Sequence, residues 1–339
     1  MGAGASATDL KPRVEVDCVV CGAAAHEPVC SAAEIRAQLE YLQRFHRRRL
    51  RSHPSEEELA DRADFTQDYA TDVVACSSCG LVFRDPRPSA DAIARAYARD
   101  RYGKKRLEGL FDSQLELSRD KVRLLRRFLP RGRSPALVEV GSFVGGFLAA
   151  ARDVGWEAVG IDPGKEVVAF SRSKGLTVHD TTAMDAPIEP NRVDCVTIWN
   201  TFDQLPDPSP TLTAVTRWLR RGGILVVRVP SGSCFRAAMS SRRKLPPPLR
   251  PLLLAALAWN NLLAFPYLHG HSFETLDRLL ARFEMRRVAV HADTLTRLAD
   301  ERTKAWAAWE ERLVKLALRG AARVRPRIAP WFDAFYAAP

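Results

Sequence analysis

The sequence predicts an α/β protein with a doubly wound, mostly parallel sheet, helices on both its faces, and a small cysteine-bearing module in front. Three observations predict it. Short apolar runs alternate with helical patterns between residues 136 and 229, a glycine turn joins the first run to its helix, and two Cys-x-x-Cys-Gly units precede them. Alternating strand and helix signals are what a parallel sheet covered on both faces requires, because each crossover must carry the chain back over the sheet.

The first strand, near 136–140, contains Leu137, Val138, Glu139 and Val140 and closes at Gly141, where the chain must turn sharply. Gly145 and Gly146 let the backbone at the start of the next helix, near 145–154, come close to a ligand, and free amides there would hold a carboxylate or phosphate. The second strand, near 157–161, ends in Asp162, 21 positions beyond Gly141, where a carboxylate can accept both hydroxyls of a ribose. An adenosine-containing cofactor is the expectation. Phe143, at the second glycine position of a dinucleotide fingerprint, argues against a dinucleotide, and the absence of Gly-Lys-Ser/Thr excludes a P-loop.

Strands near 176–179, 193–199 and 223–229, with helices near 164–174 and 208–220, continue the alternation. At this point the chain resembles the class I S-adenosylmethionine-dependent methyltransferases, whose Rossmann-like fold opens on an acidic-x-Gly-x-Gly-x-Gly motif, here Glu139, Gly141, Phe143 and Gly145. Val193 to Asn200 resembles the fourth strand of that family and Leu219 to Pro230 the helix-turn-strand that follows. Thr182-Ala183-Met184-Asp185 occupies the stretch that lies along the adenine in relatives. The resemblance implies S-adenosyl-L-methionine as cofactor, bound by Glu139, Gly141, Phe143, Gly145, Asp162, Met184, Asp185 and Asn200. Phe143 departs from the motif. Relatives often carry Glu-His just after the fourth strand, where this chain has Asp203-Gln204, so a borrowed histidine base is not expected.

Four of the seven cysteines form two matched units, Cys18-Val-Val-Cys21-Gly22 and Cys76-Ser-Ser-Cys79-Gly80. Two residues between cysteines let both sulfurs face one tetrahedral ion, and the following glycine permits the left-handed turn that aims amides at the thiolates. The pattern reads as a zinc ribbon holding structural Zn2+ through Cys18, Cys21, Cys76 and Cys79. The 54 residues between Cys21 and Cys76 exceed the spacing of about 15 to 20 usual for such sites. A helical insertion at about 31–70 accounts for them, with Ile35, Leu39, Leu42 and Leu50 as one stripe and Ser55 with Glu58 as the capping box of a second helix. Disulfides and a redox pair are the competing readings. Cys30, Cys195 and Cys234 have no partner in register and read as small buried hydrophobes. A zinc-ribbon leader joined to a methyltransferase domain is similar to many bacterial proteins, sugar C-methyltransferases among them. Those enzymes carry a large further domain, so their substrate is not carried over.

The chain thus divides into a ribbon module over 1–112 and a methyltransferase domain over 113–339, bridged by an amphipathic helix from Ser113 to Leu129. A proline- and leucine-rich stretch at 232–270 interrupts the pattern as a substrate or lid insertion. Beyond it, Ser272 caps a helix through Phe283, Met285 to His291 alternates as a strand, a long helix runs from Leu295 to Arg319, and Ala329 to Tyr336 returns as an antiparallel last strand.

Composition is that of an ordinary globular protein, 46% hydrophobic and 27% charged, and no apolar stretch is long enough to span a membrane. A cytoplasmic location is expected. The net charge of +11 comes from short basic groups spread along the whole chain, which reads as solvated helix faces rather than a nucleic-acid footprint. It also suits an anionic substrate. For proton transfer the candidates are Asp203, beyond the carboxyl end of a central strand, and His269 and His271, which flank Gly270 at a helix start where imidazoles could titrate near neutrality. The leading function is methyl transfer to a small molecule: a sugar, a lipid-linked acceptor or a secondary metabolite. RNA methylation and non-catalytic cofactor binding are the alternatives.

Overall fold

The structure, a computed structural model, describes residues 13–51, 71–99, 102–295, 297–299 and 302–339; the Ser55–Glu58 capping box lies outside them. Thirteen strands are present among these residues: β1 (Arg13–Val14), β2 (His26–Cys30), β3 (Val73–Cys76), β4 (Val82–Arg84), β5 (Arg87–Pro88), β6 (Ala136–Val140), β7 (Glu157–Asp162), β8 (Thr177–Asp180), β9 (Val193–Trp199), β10 (Leu219–Pro230), β11 (His269–Gly270), β12 (Arg286–Asp293) and β13 (Trp331–Ala337). Seven of them form one sheet in the order β12-β13-β10-β9-β6-β7-β8. β6, β7, β8, β9 and β10 run parallel, and β13 inserts antiparallel between β10 and β12. The expected Rossmann-like α/β fold is present. β9 sits in the middle because all seven of its residues are buried, the uninterrupted burial of a strand covered on both faces.

Helices fill the crossovers at Gly146–Arg152, Lys165–Ser173 and Ser209–Trp218. The helix that leads into β6 runs over Lys104–Leu125, beginning nine residues before the expected Ser113. Its buried stripe of Leu107, Phe111, Val122 and Leu125 already starts at Leu107, and Gly109, which would break a helix by propensity alone, stands in open space. The last helix is likewise displaced, to Ala305–Val324. Leu295 donates its N–H to Asn260, and Leu298 and Ala299 donate theirs to Glu311, so the amides that would have started an earlier helix are spent on side chains.

The front of the chain forms a second sheet, β11-β4-β3-β2. Its fourth strand, β11, comes from the far side of the 232–270 stretch and pairs His269 with Phe83 and Gly270 with Val82. The chain passes so closely here that a Cβ on Gly232 would lie 2.2 Å from the Gly270 oxygen. One buried guanidinium fixes the crossing: Arg84, 1% exposed, donates to the carbonyls of Ala264 and Phe265. Within the stretch Trp259, Leu262, Leu263 and Phe265 are buried, while Leu249 and Leu252 are exposed. A single hydrophobic cluster joins Cys18, Leu81 and Phe83 to Val140, Ile198 and Leu276, so the two sheets share a core.

Candidate active site

Residues 141–146 turn the end of β6 into the following helix. Gly141 has φ +74°, and a Cβ there would lie 2.2 Å from Oγ1 of Thr201, so the turn fits glycine alone. Phe143 takes φ +50°, the left-handed conformation that glycine would adopt without strain. Its ring meets Tyr102 edge-on at 5.6 Å, and its N–H donates to Asp162 at 2.8 Å. The departure from the motif thus keeps the glycine backbone at the cost of side-chain strain. The helix-start amides are not free as expected. Gly146 donates to Oε1 of Gln114 at 2.8 Å and Gly145 to the Ser142 carbonyl at 2.9 Å.

Asp162 accepts from Phe143 through one oxygen and from Gly164 through the other, both at 2.8 Å. Each oxygen retains a lone pair for a further donor. Burial pushes its carboxyl up, and the two backbone donors oppose that. Glu139 is fully buried at the end of β6, and neither of its oxygens has a hydrogen-bond partner. Burial holds it well above the usual carboxyl range, with Lys121 pulling it back. Thr197, its register partner on β9, and Trp199 two residues on also keep buried polar atoms without partners. Lys121, from the helix before β6, reaches over the Trp199 ring at 4.2 Å; burial lowers it to about 8. Unpartnered buried oxygens cost free energy, and at a site of this kind they fit a missing cationic donor.

Beyond β9, Asn200 takes φ +52° and Asp203 sits in a single 3₁₀ turn, Phe202–Gln204. Asp203 is 1% exposed. Gln204 donates to its Oδ2 at 2.8 Å, while Oδ1 has no partner. Burial raises its carboxyl to about 7. His269 and His271 are buried at 1% and 0% exposure and do not titrate near neutrality. Burial lowers both, His271 to about 3, so each ring is neutral. Nε2 of His269 lies 2.8 Å from Arg87, which only donates, so the ring proton sits on Nδ1. Thr182 donates to Asp185 at 3.0 Å, and Met184 is 55% exposed beside it.

A comparison with protein-family models matches residues 111–292, more than half of the chain, to a family described as a methyltransferase domain. The chain belongs to that family. Residues 111–292 are thus a methyltransferase domain by descent. An uncharacterized protein of Methanocaldococcus jannaschii is 23% identical over 134 residues, which is 40% of this chain. The chain spans 62% of the length of that curated relative. Among solved structures, a methyltransferase of Archaeoglobus fulgidus is 15% identical with a TM-score of 0.44, covering 68% of this chain and 97% of that one. A chain from the Haloferax volcanii complex between the Trm112 methyltransferase activator and a methyltransferase is 18% identical with a TM-score of 0.47, covering 73% and 97%. Likenesses at this level say nothing of substrate.

Ahead of that domain the four paired cysteines come together as the spacing predicts. Their sulfurs all lie within 4.8 Å of one another, with Cys18 to Cys79 and Cys21 to Cys76 each at 3.5 Å. None forms a disulfide. The two knuckles repeat one geometry, Gly22 donating to the Cys18 carbonyl and Gly80 to that of Cys76, with φ +71° and +81°. Of the other three, Cys30 and Cys195 are buried as expected, and Cys234 is half-buried. Sequence reasoning missed Lys121, Gln114 and Arg87, all of which touch the site through the fold. Lys121 and Gln114 lie in a helix with no motif, and Arg87 lies between the second knuckle and the next helix.

Proposed function

We propose that this methyltransferase moves a methyl group from S-adenosylmethionine to an anionic small molecule. The observation that carries the acceptor half is a cleft of about 930 Å³ between the Lys104–Leu125 helix, β12 and the Ala305–Val324 helix. Lys121, Arg228, Arg287, His291, Arg319 and Arg323 line it against Asp120, Asp293 and Asp333. Some of this charge is spent internally, Arg228 on Asp333 at 2.6 Å and Arg319 on Asp293 at 3.0 Å. The buried Arg228 still keeps Nε without a partner. The excess positive charge concentrates anions, and a volume near the upper end of the range of about 300 to 1,000 Å³ for ligand pockets suits a metabolite. Lys121 links the cleft to the donor site through its contact with Trp199, the residue before Asn200.

S-adenosylmethionine, when bound, supplies an electrophilic methyl on a sulfonium. Glu139 would take its ammonium, Asp162 its ribose hydroxyls and the glycine loop its close approach, while Phe143, Met184, Asp185 and Asn200 border the same end of the sheet. The remaining task of the chain is to align the acceptor and exclude water. Asp203, at about 7, is the carboxyl suited to take a proton at neutral pH from an acceptor that starts protonated. His269 and His271 act as positioning residues for the segment that follows Asp203. We assign the cysteine cluster to structural Zn2+, because four closed sulfur donors match that ion and four thiolates this close need a cation between them.

The test measures S-adenosylhomocysteine release with phosphate-, diphosphate- and carboxylate-bearing metabolites beside their neutral counterparts. Turnover of an anionic member is expected, with KM raised about tenfold in Arg323→Ser at unchanged cofactor affinity. Turnover of neutral acceptors or of RNA alone would overturn the acceptor assignment. Cofactor binding without turnover of any class would favour a sensing role.

A further inference from the structure

The Ala305–Val324 helix is mounted with its apolar side outward. Trp306, Trp309, Leu313, Leu316 and Val324 are 51%, 60%, 61%, 69% and 81% exposed. At 100° per residue these five positions fall within a sector of about 80°. The side turned to the protein carries Ala307, Glu311, Lys315 and Ala322. Glu311 and Lys315 pair with each other, and Glu311 also accepts the N–H groups of Leu298 at 2.6 Å and Ala299 at 2.8 Å. A charged pair holding two backbone donors cannot be rotated outward without stranding all of them. The helix is therefore locked in the orientation that shows its tryptophans and leucines to solvent.

We propose that this face docks on the surface of an anionic lipid bilayer. Charge decides the occupant. Arg312 and Arg323 line one edge of the apolar stripe, Arg323 also lining the basic cleft, while Arg319 on the same edge holds Asp293. The other edge holds Glu310, whose carboxylate is already taken by Arg49 and the Trp259 indole. No other carboxylate of this helix faces outward. Tryptophan and leucine on one side with arginine at the margin is the make-up of a helix lying in the headgroup layer, where the indoles sit at the acyl boundary and the guanidinium groups meet lipid phosphates. Ile328, 40% exposed, follows just beyond the helix end, next to Arg327, whose guanidinium pairs with Glu274. A second copy of the chain is a poorer occupant, since pairing two such faces sets one row of arginines close to another. No helix among the described residues is long and apolar enough to cross a membrane, so the attachment is peripheral. This holds whether or not the basic cleft takes the acceptor.

Vesicle co-sedimentation of the full chain tests it, using phosphatidylcholine vesicles and phosphatidylcholine–phosphatidylglycerol vesicles at low and physiological salt. Partitioning is expected to be about tenfold stronger on the anionic vesicles, with a blue shift of tryptophan emission. The variant Trp309→Ser/Leu313→Ser/Leu316→Ser should lose at least about tenfold of that partitioning, and Arg312→Ser should lower the preference for anionic lipid. All four side chains point outward, so circular dichroism and S-adenosylhomocysteine affinity should match the parent and exclude misfolding. Equal partitioning of parent and triple variant, or none by the parent, overturns the proposal. So does a parent dimer in lipid-free buffer that the triple substitution makes monomeric without any vesicle binding.

Discussion

Nη1 of Arg87 lies 2.8 Å from Nε2 of His269, and Nη2 of the same side chain donates to the Pro206 carbonyl at 2.8 Å. One guanidinium thereby joins β5 to β11 and to the turn that follows Asp203. Arg87→Met would leave a buried imidazole nitrogen and a carbonyl without their donor, costing about 2 to 4 kcal/mol. Urea unfolding should show a lower midpoint at unchanged slope, and the parent should unfold in one transition by fluorescence and circular dichroism together, because the two sheets share a core. A separate early transition in the parent would contradict that coupling.

Asp203 makes stability depend on pH in a definite direction. Its folded carboxyl titrates at about 7, against about 3.9 in an unfolded chain, so between those values the native state holds a proton that the unfolded state has lost. Stability from this group is full below pH 4 and falls as pH rises toward 7, by roughly 4 kcal/mol at most. Asp203→Asn should therefore gain thermal stability relative to the parent at pH 8 and show little difference at pH 4. If Asp203 also takes the acceptor proton, kcat/KM of the parent rises with pH through about 7 and the Asn variant loses that limb. Parallel Tm curves for the two proteins across this range would show that the carboxyl is not buried in solution.

How much of this was legible beforehand follows the range of the interactions. β6, β9 and the parallel order could be read because their apolar runs and bounding glycines are local, and the cysteine knuckles because Cys-x-x-Cys-Gly repeats one short geometry. β13 could be read from its aromatic run, Trp331, Phe332, Phe335 and Tyr336. What failed depended on partners far away in sequence. His269 and His271 resembled accessible loop histidines until β4 paired with His269 and Ser231 bridged His271. The amides of Gly145 and Gly146 looked open because Ser142 and Gln114 could not be foreseen as acceptors. The last helix was placed too early because nothing in 295–304 announces that Asn260 and Glu311 will take its amides.

Gly141 is the position where the donor loop tolerates least. A Cβ would meet Thr201 at 2.2 Å from Oγ1 and 2.8 Å from Cβ, and the alanine would also carry a left-handed φ. Gly141→Ala should weaken S-adenosylhomocysteine binding by at least about tenfold in calorimetry, since the loop must shift away from the end of β9. Glu139→Gln should weaken it comparably without moving the backbone. Unchanged affinity in both would remove the cofactor from this end of the sheet.

The cysteine cluster sets the last expectation. Cys18, Cys76 and their partners sit in the same hydrophobic cluster as Val140 and Ile198, so loss of an ion among them should be felt at the strands that frame the donor site. Elemental analysis should find about one zinc ion per chain, removed only by a strong chelator together with partial unfolding. Cys76→Ser leaves three sulfurs around a charged ion and should lower both metal content and Tm, and S-adenosylhomocysteine affinity should fall with them even though the serine is remote from the glycine loop. Cys30→Ser is the control, because Cys30 is buried away from the cluster and accepts a hydrogen bond from Gln38 at 3.1 Å. A metal-free protein with parental Tm, or equal effects of the two substitutions, would make the cluster a set of packed thiols instead.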